Sequence, residues 1–191
     1  DFYPADMRPA DYLEFYSRRF STVEINNSFY RLPSVEALQA WVNLAPKNFR
    51  FSVKASRFIT HNKKLKDAPE CFGLFFKRIK ILSPLLGPIL FQLPPRWKYN
   101  GERLEEFLQA LPPAFNYVFE FRHPDWIRDE AFSLLRKYNA SYCVHDMPES
   151  HSPILTTNNI AYVRFHGWSG TYAGSYSDSQ LSGWAEILLN W

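Results

Sequence analysis

The chain has 191 residues, of which 46% are hydrophobic and 21% charged, a balance that excludes a disordered segment and suffices for one substantial core. Its net charge of +3 is too mild to call for a nucleic-acid partner, and no apolar run approaches the roughly 20 residues of a membrane span. Cys71 and Cys143 stand far apart with no C-x-x-C pattern, which suits a reducing cytoplasm and offers too few thiols for a structural zinc site.

In chain order, apolar residues three and four apart predict a first helix through Leu13, Tyr16 and Phe20. Thr22–Asn26 reads as a strand. Leu38, Trp41, Val42 and Ala45 predict a second helix, entered through Pro33-Ser34 and stopped by Pro46. The strand Arg50–Ser56 follows, then a helix through Phe72, Phe75, Phe76 and Ile79, then the strand Pro88–Leu93. Leu104, Phe107, Leu108 and Leu111 mark the next helix, before the strand Tyr117–Arg122. A helix through Ala131, Leu134, Leu135 and Tyr138 leads to the strand Ser141–Asp146. The strand Ala161–His166 and a helix through Leu181, Trp184, Leu188 and Trp191 complete the pattern.

Strand and helix in alternation predict a parallel sheet covered by helices, within a single domain over residues 1–191. No G-x-G-x-x-G or Walker-type loop follows any strand, so a barrel is favoured over a nucleotide-binding doubly wound sheet. Six motifs carry a family resemblance: TVEINNSFYRLPS, FSVKAS with ITHNKKL, LGPILFQLPP, VFEFRHPDW, YCVHD and YVRFHG. In this order, and over essentially the whole chain, they resemble the YecE-like family of TIM-type barrels. The resemblance implies an α/β fold, a TIM-type (β/α)8 barrel of which this chain supplies strands two to seven. A first strand before Phe2-Tyr3-Pro4 and a last one after Trp191 would then complete it. No activity comes with that resemblance.

Side chains alternate along a strand, so each strand splits into an apolar set and a polar set. Glu24 and Asn26 oppose Val23 and Ile25; Lys54 opposes Val53 and Ala55; Gln92 opposes Phe91 and Leu93. Glu120 and Arg122 oppose Phe119 and Phe121, while Arg164 and His166 oppose Val163 and Phe165. Apolar sets suit the helix-covered face, so the polar sets are expected to point inward near the C-terminal ends of the strands, where barrel enzymes keep their chemistry. In Ser141–Asp146 the choice stays open, with His145 on one face and Asp146 on the other.

The expected catalytic residues are Glu24, Lys54, Glu120, Asp146 and His166. Glu24 or Glu120, raised in pKa by partial burial, would act as base, and Lys54 or His166 as acid. Asp146 would orient a histidine or hold a metal. Lys54, Arg122 and Arg164 are expected to converge on a phosphate or carboxylate, with Asn26 and Gln92 fixing a substrate hydroxyl. Tyr30, His61 and Trp126 complete the substrate-binding set, although core packing is the commoner role for such rings.

The favoured reading is an enzyme using acid–base chemistry on an anionic, phosphate-bearing small molecule; hydrolase, lyase and isomerase classes are all compatible. Metal-assisted hydrolysis of a phosphoester or nucleic acid is the alternative, and a non-catalytic ligand-binding barrel a third. No motif requires a cofactor, and a divalent metal is compatible with the residue types, but no H-x-H or H-E-x-x-H spacing supports one. Nucleic acid is not favoured as a partner, and no membrane is expected. Glycoside hydrolysis ranks low, because Gln92 and Arg164 stand where barrel glycosidases carry their two carboxylates. A purely structural ion-pair network among Glu24, Glu120, Lys54, Arg122 and Arg164 is the competing explanation of the charges.

Overall fold

The structure is a computed structural model and describes residues 2–147, 150–167 and 173–191. Its strands are β1 (Thr22–Ile25), β2 (Arg50–Lys54), β3 (Leu86–Gln92), β4 (Tyr117–Glu120), β5 (Ser141–Met147), β6 (Ser150–His151) and β7 (Tyr162–Phe165). The helices are α1 (Tyr12–Ser17), α2 (Val35–Leu44), α3 (Ala68–Ile79), α4 (Gly101–Ala110), α5 (Asp129–Lys137) and α6 (Asp178–Leu189). All six expected strands and all six expected helices are present. The two-residue β6, which the period-two pattern does not reveal, turns back antiparallel on β5.

The eight-stranded barrel is not what forms. The hydrogen-bonded order is open, running from β1 to β6 with β7 also on β5. Closure requires every strand to be paired on both edges. Among the described residues, β1 is paired on one edge, to β2. The closed TIM-type expectation is therefore corrected to an α/β fold with an open, mainly parallel sheet.

The chain divides into two compact units, Asp1–Leu90 with Pro113–Phe115, and Phe91–Pro112 with Asn116–Trp191. In the first, β1 and β2 run parallel in the register Glu24 to Ser52 and Ile25 to Val53. Phe49, Phe51, Val53, Leu38 and Ile79 are buried there, each contributing about 1.5–3 kcal/mol of transfer free energy. Helix α2 starts where the Ser34 side chain accepts a hydrogen bond from Ala37 N at 3.1 Å. The Ser28 hydroxyl contacts the carbonyls of Ile25 (2.8 Å) and Lys54 (2.7 Å), tying together the ends of β1 and β2.

In the second unit every residue of β4 is buried. The Phe119 ring stacks on Phe91 at 5.3 Å, and Phe107 of α4 meets Phe91 edge-on at 5.1 Å. Ala131, Phe132 and Leu135 form the buried stripe of α5. Strand β7 lies parallel to β5, pairing Cys143 with Tyr162 and His145 with Arg164. Among the described residues no helix is long and apolar enough to cross a membrane.

Candidate functional site

The period-two alternation of β4, β5 and β7 assembles a polar cluster. Val118 pairs with Ser141 across β4 and β5, so Glu120 shares a face with Cys143 and His145 further along. The register of β5 on β7 then sets Arg164 beside His145. Glu120 is completely buried, the kind of charge that survives in a protein interior only with opposite charges in contact. Arg164 Nη1 donates to its Oε2 at 2.7 Å, and Arg122 Nη2 lies 2.5 Å from Oε1. The Arg122 contact is a charge contact outside hydrogen-bond alignment. Arg164 Nη1 also reaches the Gln92 side-chain oxygen at 3.4 Å.

Two imidazoles flank the same carboxylate. His166 Nε2 is 3.5 Å from Glu120 Oε1, and His145 Nδ1 is 3.9 Å away. His166 Nε2 also lies 2.8 Å from Arg122 Nη2. A guanidinium only donates, so the shorter contact makes Nε2 the acceptor and puts the ring proton on Nδ1.

The charge states follow. Burial pushes the Glu120 carboxyl up, but the His166 ring, the Arg164 and Arg122 guanidiniums and His145 outweigh it and hold the carboxyl at about 2. The expected rise is corrected: burial acts as anticipated, yet the His166 ring and two cations within 3 Å overcome it. At neutral pH Glu120 is an ionised anchor. His145 goes the other way from the usual imidazole value, to about 4, first because burial disfavours its cation, with Arg122, His166 and Arg164 adding to the effect against the pull of Glu120. The His145 ring thus stands uncharged beside a carboxylate held by two cations.

Arg122 is bonded in an uneven way. Its Nη2 serves Glu120 and His166, its Nη1 contacts the Met147 thioether sulfur, and its buried Nε has no hydrogen-bond partner among the described residues. A thioether is a weak acceptor for a full cation. The side chains of Arg122 and Arg164 are 10% and 11% exposed, against 0% for Glu120, so the guanidiniums are the wetter part of the cluster.

Comparison with known proteins bears on this arrangement. A family model described as "Protein of unknown function DUF72" matches residues 1–191, the whole chain. The chain belongs to the DUF72 family. This agrees with the resemblance carried by its six motifs. It is similar to the UPF0759 protein YecE of Escherichia coli K12, 36% identical over 118 residues, which are 60% of this chain and 42% of that protein. It is also similar to the UPF0759 protein YunF of Bacillus subtilis, 27% identical over 187 residues, 86% of this chain and 65% of that one. The chain thus spans less than two thirds of the length of these relatives. A crystal structure of a DUF72 family protein from Thermotoga maritima matches with a TM-score of 0.86 at 28% identity, covering 98% of this chain and 80% of that one. One from Enterococcus faecalis matches with a TM-score of 0.81 at 21% identity, covering 93% and 80%, a likeness of fold alone.

Other expected site residues of this DUF72 chain lie outside the Glu120 cluster. Asp146 accepts a hydrogen bond from Trp184 Nε1 of α6 at 2.9 Å, and its register partner on β7 is Phe165, on the face opposite His145. Trp126 is fully buried, stacked on Phe121 at 5.1 Å, and donates to the Trp97 carbonyl at 2.7 Å. As placed it packs the core. In the first unit, Glu24 and Asn26 line a cavity of about 360 Å³ together with Tyr3, Tyr16 and Trp41. Lys54, Tyr30 and His61 gather around the Phe29 ring.

His145 and Met147 were absent from the expected set. The one available signal was their odd-numbered positions in the run Ser141–Met147, shared with Cys143, and it could not be used until the neighbouring strand fixed which face was inward. Among the described residues no group of three or more His, Cys, Asp or Glu side chains is arranged to hold a metal ion.

Proposed function

We propose that this DUF72 chain binds an anionic, phosphate-bearing small molecule at Arg122 and Arg164 and performs acid–base chemistry on it. The observation that carries this reading is the bonding of Arg122: a guanidinium with a thioether on Nη1 and, among the described residues, no partner on a buried Nε. A buried donor without a partner among the described residues marks a place for an unseen ion or water, and an oxyanion is a better acceptor for a guanidinium N–H than a thioether sulfur is. Glu120 orients both guanidiniums in this scheme and stays ionised throughout. Proton transfer falls to His166, whose Nε2 lone pair already faces Arg122.

Thermal melts with and without inorganic phosphate test the proposal. The wild-type chain is expected to gain stability from the anion, and Arg122→Met to lose about 1.5–3 kcal/mol of anion binding, the worth of a charge-assisted hydrogen bond. An Arg122→Met chain that melts earlier yet keeps the full anion-dependent shift would identify the cluster as a structural ion-pair network.

A further inference from the structure

A second proton-handling arrangement lies in the first unit, around the turn that follows β2. The backbone from Phe58 to Asn62 makes one π-helical turn, a rare element common at functional positions. It is closed by Lys63 N on the Phe58 carbonyl (2.9 Å) and Leu65 N on the Ile59 carbonyl (3.0 Å). Lys64, Leu65 and Asp67 follow with φ of 48°, 65° and 52°, left-handed values that cost non-glycine residues about 1–3 kcal/mol each. Such strain persists only where surrounding structure imposes it, and this stretch follows directly on the turn that carries His61.

The Thr60 hydroxyl lies 2.9 Å from His61 Nδ1 and 3.3 Å from the Ser56 carbonyl. A hydroxyl has one proton, and a carbonyl can only accept. Both contacts are made at once in one arrangement only: Thr60 donates to Ser56, and His61 Nδ1–H donates to Thr60. The ring proton therefore sits on Nδ1, and Nε2 carries the lone pair. His61 is half-buried, and among the described residues its Nε2 makes no hydrogen bond. A base oriented from behind by a hydroxyl relay is how an imidazole is prepared to accept a proton.

The surroundings supply the rest of a site. Phe29 meets the His61 ring edge-on at 5.0 Å and carries the Lys54 ammonium 4.5 Å from its centroid. Tyr30, 79% exposed, packs edge-on against Phe29 at 5.0 Å. Burial, then the charges of Arg57 and Lys54, press the His61 imidazolium down, so the ring is neutral and its lone pair available at neutral pH. Among the described residues the ring is in contact with the Thr60 hydroxyl and the Phe29 ring, and the charges acting on it are those of Arg57 and Lys54.

We propose that His61 is a general base that takes a proton through Nε2 from the hydroxyl of an anionic substrate held beside Arg57 and Lys54. The proton leaves the substrate O–H for Nε2, and the bonding pair remains on the substrate oxygen. Nδ1–H stays on Thr60 throughout. The imidazolium so formed, next to two cations, returns its proton in the reverse step. This inference concerns the first unit and does not rest on the reading of Arg122 and Arg164.

Because an anion beside Arg57 and Lys54 would offset the charges that weaken the base, binding and basicity are coupled, and the coupling is measurable without a known reaction. Nitrogen-15 spectra of the histidine side chains, assigned with His61→Gln, report the tautomer and the titration midpoint. Wild-type His61 is expected to be protonated on Nδ1 at pH 7, with a midpoint below that of a free imidazole. Inorganic phosphate should raise that midpoint by about one pH unit, the scale of a nearby opposite charge. Lys54→Met should raise it without phosphate and shrink the phosphate response, and Thr60→Val should release the tautomer preference. A ring protonated on Nε2, or a midpoint indifferent to phosphate, would overturn the proposal.

Discussion

Replacing Glu120 by Gln keeps the shape of the side chain and removes a buried charge on which Arg122 and Arg164 converge. Lowering a carboxyl from its usual 4.5 to about 2 corresponds to about 3 kcal/mol of folded-state preference for the ionised form. That agrees with the roughly 3–5 kcal/mol lost when one partner of a buried ion pair is removed. The folded value is depressed, so this stabilisation is complete above pH 4.5 and disappears as pH falls through the window down to about 2. His145 also favours the neutral-pH form: its value of about 4 lies below the usual 6.5, so protonation of the unfolded chain erodes stability as pH falls between these limits. Urea denaturation of wild type and Glu120→Gln at pH 7, 4.5 and 3 separates the two contributions. A gap of about 3 kcal/mol is expected at pH 7, narrowing by roughly half from pH 4.5 to pH 3, whereas the loss between pH 6.5 and 4.5 persists in both chains. A variant as stable as wild type at pH 7, or a gap independent of pH, would refute the assignment of Glu120 as the ionised anchor.

Two further substitutions test the neighbouring framework. Trp126→Phe removes the bond to the Trp97 carbonyl and leaves space among Phe121, Trp97 and Tyr99, so urea denaturation should show a loss of about 1–3 kcal/mol. The phosphate-dependent melting shift should be unchanged; its disappearance in a stable variant would return Trp126 to the ligand site. Thr157→Val deletes the hydroxyl that accepts from Tyr142 N and donates to the Ala140 carbonyl, both at 2.8 Å, at the start of β5. It should cost about 1–3 kcal/mol in the same assay and speed hydrogen exchange at the Tyr142 amide, and a change under about 0.5 kcal/mol would contradict the bridging role.

The alternation in YVFEFR and YVRFH was enough to place Glu120, Arg122, Arg164 and His166 on one face, because a strand's period of two is a property of its own backbone. The six strands and their helices were legible for the same reason: local spacing of apolar residues dictates local conformation. The choice between His145 and Asp146 was not. Adjacent polar residues satisfy either face, and only the pairing of β5 with β7 put His145 beside Arg164 and sent Asp146 to Trp184. Barrel closure depends on which strand edges find partners, which no single strand's sequence contains. The Glu120 charge state shows the limit most clearly. Burial could be read from the apolar residues around it, but its sign was decided by two cations brought within 3 Å from positions 122 and 164, and a Coulomb contact falls off with a distance that only the folded chain sets.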